Sequence, residues 1–230
     1  MLILGIETAT ERVSVAIGGH EGVIGLFEIT KGRRHAETLV PAIEFTCRQA
    51  GIELDEIGVV AVDVGPGLFT GMRVGLASAT AIAQALRVPM IGISSLDLLA
   101  FTQQHADKIV VPVIDARKSE VFYAMYRPTP GGVQQVVDAQ VGSVDDLVAD
   151  LMARSEDSLL LGDGARRYRD DINEGFRCEF GGDDHPSAAP LVKLAHARAL
   201  REDWVRPSEI APVYLREPDA VINWQTRAGR

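Results

Sequence analysis

Residues 2–6 form a short apolar run that ends in the polar cluster Glu7-Thr8-Ala9-Thr10. Val13, Val15 and Ile17 then alternate with smaller residues as far as the turn-like Gly18-Gly19-His20-Glu21-Gly22, and a third apolar stretch covers 23–29. Three strands joined by short turns predict an antiparallel meander. The period then changes. Leu39, Ile43, Cys47 and Ala50 recur at helical spacing opposite Glu37, Pro41, Glu44 and Arg48, so 35–50 reads as a helix closed by Gly51. Pro41 must lie in its first turn or kink it.

Residues 57–64 are almost continuously apolar, as a strand buried on both faces is. Gly65-Pro66-Gly67 reads as a tight turn, followed by a long helix over 70–86 for which Thr70 is the expected cap. A short strand at 90–93 follows, and Ser94-Ser95 caps a helix reaching about residue 104.

The same order then begins again. Strands are expected at 109–114, 121–126 and 133–141, with turns at 115–118 and 128–132. A helix over 145–152, a strand at 159–161 ending in Gly162-Asp163-Gly164, and a helix over 187–201 complete the unit. Two β-β-β-α-β-α halves imply an α/β protein with two similar lobes. The boundary falls in the polar stretch 103–108, giving lobes at 1–105 and 106–216 and a polar tail at 217–230.

Composition narrows the function classes. The 230 residues are 47% hydrophobic, enough for two small cores, and carry a net charge of −9. An acidic chain repels phosphate backbones, so autonomous tight binding of nucleic acid is not expected. Cys47 and Cys178 stand far apart with no metal-ligand spacing around them. The N-terminus lacks the basic flank of a signal peptide, and no apolar run approaches the roughly 20 residues of a membrane helix. A cytoplasmic location with no membrane partner is expected.

Several segments, taken in order, resemble the TsaB (YeaZ) family. Gly5-Ile6-Glu7-Thr8-Ala9-Thr10 is similar to its I-D-T-S-T opening, with Glu7 in place of Asp, and 35–41 to its H-S-E-x-L-x-P. Residues 65–75 are similar to G-P-G-S-F-T-G-x-R-x-G, with Leu68 in place of Ser. Pro112-Val113-Ile114-Asp115-Ala116-Arg117 and, near the C-terminus, Pro212-Val213-Tyr214-Leu215-Arg216 complete the set. The resemblance implies an actin-like (ASKHA) fold of two ribonuclease-H-like lobes. It also implies a non-catalytic, cofactor-free partner subunit that works with a TsaD-type catalytic subunit and a TsaE-type ATPase. Their joint reaction is threonylcarbamoyl transfer to N6 of adenosine 37 in tRNAs reading ANN codons. When alone the subunit is expected to be a homodimer, and to meet tRNA only indirectly.

The competing reading is an actin-like-fold small-molecule kinase or nucleotide hydrolase. Phosphate-binding hairpins need an acidic residue beside small ones, so that backbone N–H groups approach the phosphates. The first hairpin, 7–11, has Glu7 and Thr8 but no glycine, and Glu11 adds repulsion; in the second, Asp115 is followed by bulky Arg117. Glu7, Thr8, Asp115, Gly162, Asp163 and Gly164 are therefore candidates for a vestigial nucleotide site. Asp63, at the carboxyl end of a buried strand, is a further candidate, or else a capped or surface-facing aspartate. A metallopeptidase is a third reading, prompted by the H-x-x-x-H metal site of the catalytic relative. Here Leu39 stands four residues after His35, so half of the chelating pair is missing.

Helix 70–86 is apolar around most of its circumference, wider than the stripe of a surface helix. Met72, Leu76, Ala79, Ala83 and Leu86 form a bulky stripe, while Val74, Ala77, Ser78, Ala81 and Ala85 form a second, mostly small one, with Gly71, Gly75 and Ile82 between. Arg73, Thr80, Gln84 and Arg87 make a narrow polar stripe. Either both apolar faces are buried within the monomer, or the small face receives a partner helix. The second reading makes Gly71, Val74, Gly75, Ala77, Ser78, Ala81, Ile82 and Ala85 docking residues, joined by Leu39 and Ile43 from helix 35–50.

Overall fold

The structure, a computed structural model, describes residues 1–30, 32 and 34–216; the tail 217–230 lies outside the described residues. Its first half contains β1 (Leu2–Glu7), β2 (Arg12–Gly19), β3 (Gly22–Thr30), α1 (His35–Ala50), β4 (Ile57–Asp63), α2 (Phe69–Leu86), β5 (Met90–Ile93) and α3 (Ser95–Thr102). The second contains β6 (Ile109–Arg117), β7 (Glu120–Thr129), β8 (Gly132–Ser143), α4 (Val144–Arg154), β9 (Ser158–Leu161), α5 (Asp163–Arg167), α6 (Arg169–Gly175), β10 (Glu179–Phe180) and α7 (Ala188–Ala199). The expected strands and long helices are present. The pattern did not reveal α5, α6 and β10, which are too short to show a period.

The two five-stranded sheets run β3-β2-β1-β4-β5 and β10-β9-β6-β7-β8. Numbered within each half, both read third-second-first-fourth-fifth. The meander pairs are antiparallel, and the fourth strand lies parallel to the first and fifth. β4 is thus sandwiched between two parallel neighbours, which explains its unbroken apolar run.

Side-chain alternation gives each sheet two buried faces. On the outer face of the first sheet, Leu4, Ile6, Val15, Val60 and Val62 pack under α1 and α2 through Leu39, Ile43, Ala79 and Ala83. On its inner face, Ile3, Val59, Ala61 and Ile91 pack against Leu191, Val192 and Ala195 of α7. In the second sheet, Val111, Val113 and Tyr123 face α4 through Leu147 and Leu151. Val110, Ile114 and Tyr126 face Leu96, Leu99 and Ala100 of α3.

The middle helices are therefore exchanged. α3 follows the first sheet in sequence but covers the second, where Tyr126 Oη donates to Asp97 at 2.7 Å. α7 follows the second sheet but covers the first. There Ala188 N donates to Ser14 Oγ at 2.8 Å and Arg198 to the Gly92 carbonyl at 2.8 Å. The chain beyond α7 also returns to the first sheet, pairing Val205 with Met90 and Val213 N with the Val64 carbonyl. The junction at 105/106 separates the sheets but not the helices that complete them. Among the described residues no helix is long and apolar enough to cross a membrane.

Local details refine two expectations. Pro41 lies in the second turn of α1, where it has no N–H for the Glu37 carbonyl. The N-cap of α2 is Leu68 in extended conformation, not Thr70, which sits exposed two residues later, inside the helix. Ser94 caps α3 as expected, accepting from Leu96 N at 3.1 Å.

Candidate functional site

Two regions collect the candidate residues: the ends of β1, β4 and β6, and the solvent side of α2. At the first, Glu7 and Asp63 close neighbouring parallel strands, since Ile6 is paired with Val62. Both are buried. Glu7 Oε1 accepts from Ala9 N at 2.7 Å. Asp63 Oδ1 accepts from Gly65 N and from Ser95 Oγ, both at 2.7 Å. Asp63 is thus the capping residue of its turn. Glu7 Oε2 and Asp63 Oδ2 are buried without a hydrogen-bond partner among the described residues. Burial pushes the Asp63 carboxyl up to about 7, and burial beside Asp63 raises Glu7 well above its ordinary range.

Thr8 donates to the Gly71 carbonyl at 2.8 Å, and His35 Nε2 lies 2.7 Å from the Thr10 carbonyl. These polar groups pin the first turns of α1 and α2 to the end of β1. Gly71 and Gly75 permit the approach: a Cβ at either would lie 2.2 Å from a Thr8 oxygen. They are therefore not docking residues, contrary to the expectation above, because their open side faces the core. The same correction applies to Leu39 and Ile43, which are 1% and 5% exposed beneath α1. Leu39 fills core where a second metal ligand would stand.

The second-lobe candidates Asp115, Gly162, Asp163 and Gly164 lie close together. Asp163 Oδ1 accepts from Asp115 N at 3.0 Å. A Cβ on Gly162 would meet the Val113 carbonyl at 2.2 Å, and one on Gly164 the Asp115 nitrogen at 2.9 Å. Burial raises the Asp163 carboxyl to about 6. Glu7 and Thr8, however, lie beneath the surface and do not face these groups. The first lobe presents Glu11 instead.

Between the lobes is a cavity of about 330 Å³ lined by Glu11, Asp115, Arg117, Asp163, Arg166, Arg167 and His185. Arg117 spans it, reaching Glu11 at 2.9 Å and Asp115 at 3.1 Å, while Arg167 meets Asp115 at 3.3 Å. Arg117, Lys118 and Ser119 all have left-handed φ, between 56° and 65°. A two-residue hairpin of the twist-compatible kind requires positive φ at Lys118 and Ser119, and a bulge adds it at Arg117. Non-glycine residues adopt such φ at a cost of about 1 kcal/mol or more each. The hairpin holds Arg117 in the cleft against that cost. Burial and the Arg12 charge hold His185 below the ordinary histidine range. Arg166, Arg167 and His185 carried no sequence signal, because the segment 163–185 has no periodicity that would place it at a cleft.

α2 separates into the stripes read from its sequence. Met72, Ala79 and Ala83 are buried, and Leu76 and Leu86 pack partly against the same core. Ala77, Ala81 and Ala85 are exposed, flanked by half-buried Val74, Ser78 and Ile82. Beside them α1 exposes Val40, and the N-terminal end of α2 exposes Phe69. A face of small apolar side chains thus lies open next to a large one that is buried.

A family described as TsaD, tRNA N6-adenosine threonylcarbamoyltransferase, matches residues 25–169. The chain is 30% identical to the tRNA threonylcarbamoyladenosine biosynthesis protein TsaB of Escherichia coli, over all of both chains. It is 25% identical to the protein of the same name from Bacillus subtilis, over 97% of this chain and 98% of that one. Among solved structures it is similar to an uncharacterized Pseudomonas aeruginosa protein resembling peptidase YeaZ. That match has a TM-score of 0.83 and 28% identity, covering 94% of this chain and 99% of that one. It is also similar to YeaZ from Pseudomonas aeruginosa, with a TM-score of 0.79 and 25% identity over 93% and 100%. With full-length similarity in both sequence and fold, the chain belongs to the TsaB family.

Proposed function

We propose that this chain is the non-catalytic partner subunit of a tRNA threonylcarbamoyladenosine machinery. It acts with a TsaD-type catalytic subunit and a TsaE-type ATPase in threonylcarbamoyl transfer to N6 of adenosine 37. The two identically ordered sheets with exchanged middle helices are read as the actin-like plan of two ribonuclease-H-like lobes.

The observation that carries this reading is the solvent face of α2. Ala77, Ala81 and Ala85 stand exposed in a row beside half-buried Val74 and Ile82. Small side chains there let a second helix approach closely. Apolar area removed from water contributes roughly 25 cal/mol per Å², less the cost of association. A TsaD-type subunit is the proposed occupant, and a second copy of the chain takes its place when the chain is alone. The chemistry of the cleft points the same way. Glu11 and Asp115 are neutralised by arginines of the chain itself, Glu7 is spent on its own turn at Ala9, and Thr8 on holding α2. The net charge of −9 leaves tRNA contact to the partner.

The test is reconstitution with the TsaD-type and TsaE-type subunits of the same organism, scoring modified adenosine in tRNA. Modification should require the chain, and the chain alone should produce none. Full modification without it would remove the reading.

A further inference from the structure

Resting on that reading, we propose that Arg73 is a preorganised anchor for a carboxylate side chain of the TsaD-type subunit docked along α2. Phe69, Arg73, Ala77 and Ala81 follow one another at intervals of four and are all exposed, so Arg73, on the polar stripe, borders the small-residue face toward the start of the helix. Its guanidinium carbon lies 3.7 Å from the centre of the Phe69 ring. Its Nε donates to Tyr214 Oη at 3.0 Å, and the Tyr214 ring lies 5.7 Å from that of Phe69. Two rings, 43% and 42% exposed, therefore hold a cation in place at the surface.

The chemistry around Arg73 assigns the partner. The guanidinium is oriented before binding, so little rotamer freedom remains to be lost. Its two terminal amino groups have no carboxylate within ion-pair distance among the described residues, whereas the nearby Arg117 is engaged by Glu11 and Asp115, and Arg216 by Glu120. A planar pair of donors matches a carboxylate bidentately. Arginine and tyrosine are also the residue types that concentrate binding energy at interfaces. A protein partner is favoured over an RNA phosphate because Arg73 borders the exposed alanine face and the chain carries a net charge of −9; the neighbouring cavity of about 430 Å³ mixes Met72, Val213 and Leu215 with Asp115, Arg117, Lys118 and Arg216.

The experiment measures affinity of the full chain for the purified TsaD-type subunit by calorimetry at low and high salt. Arg73→Glu should weaken binding about a hundred-fold at low salt, with a narrower gap at high salt. Arg73→Lys should recover only part of the affinity, and Tyr214→Phe, which removes the hydroxyl acceptor, should cost a few-fold. Melting temperatures should match the parent. If Ala81→Glu abolishes binding but Arg73→Glu and Arg73→Lys bind as the parent does, the anchor is overturned and the docking face stands. If none of these changes matters, both fail. Loss confined to self-association, or to tRNA binding by the assembled complex, would also overturn the anchor.

Discussion

Glu7 and Asp63 show how one position can satisfy a motif and yet play a different part. Each keeps one oxygen in a hydrogen bond and one buried without a partner among the described residues. The unfolded chain releases the Asp63 proton near the ordinary aspartate value, whereas the folded chain holds it to about 7. Folding therefore takes up a proton, and stability falls as pH climbs through that interval. Asp63→Asn keeps the acceptor for Gly65 and Ser95 and removes the charge. In denaturant titrations it should be more stable than the parent at pH 8, by on the order of a few kcal/mol, with the gap closing toward pH 4. A constant gap across that range would contradict the assignment. Gly75→Ala should destabilise the fold, by roughly 1–3 kcal/mol for overpacking, because its Cβ would collide with Thr8; denaturant titration reads this. At this scale the sequence identified the acidic strand end but not its burial. Arg117 looked like an obstruction to phosphate, and the structure makes it a brace. That role depends on Glu11, which is distant in sequence and brought opposite only by the fold.

The wheel of α2 was legible because its two apolar stripes differ in side-chain size, and the larger one found the sheet. The glycines between them were misplaced, since a residue without a side chain leaves no trace of which neighbour approaches it. Leu39 and Ile43 of α1 were assigned outward for a related reason: periodicity marks an apolar face without saying whether sheet or partner covers it. The correction sharpens a test. Ala79 is fully buried and Ala81 exposed, two positions apart. Ala79→Arg should lower the melting temperature severely, whereas Ala81→Glu should leave it close to the parent value. Equal effects on melting would mean that the helix is not oriented as described.

The repeated succession of strands and helices along the chain is readable from spacing, whereas the order of strands within each sheet is not. Nor is the exchange of α3 and α7, because amphipathic helices carry no label for the sheet they cover. A fragment ending at residue 105 would expose Ile3, Val59, Ala61 and Ile91, which α7 buries. It should therefore show poor chemical-shift dispersion and no cooperative melting; a cooperatively folded fragment would contradict the shared-core picture. The start of α2 is fixed by Thr8, which donates to the Gly71 carbonyl, and by the returning segment that carries Tyr214, while Arg117 braces the two lobes through Glu11. The most direct measurement of the central claim is the affinity of the Ala81→Glu chain for the TsaD-type subunit of its own organism, beside that of the parent. The account predicts a folded chain that no longer associates, and an Ala81→Glu chain that associated as tightly as the parent would contradict it.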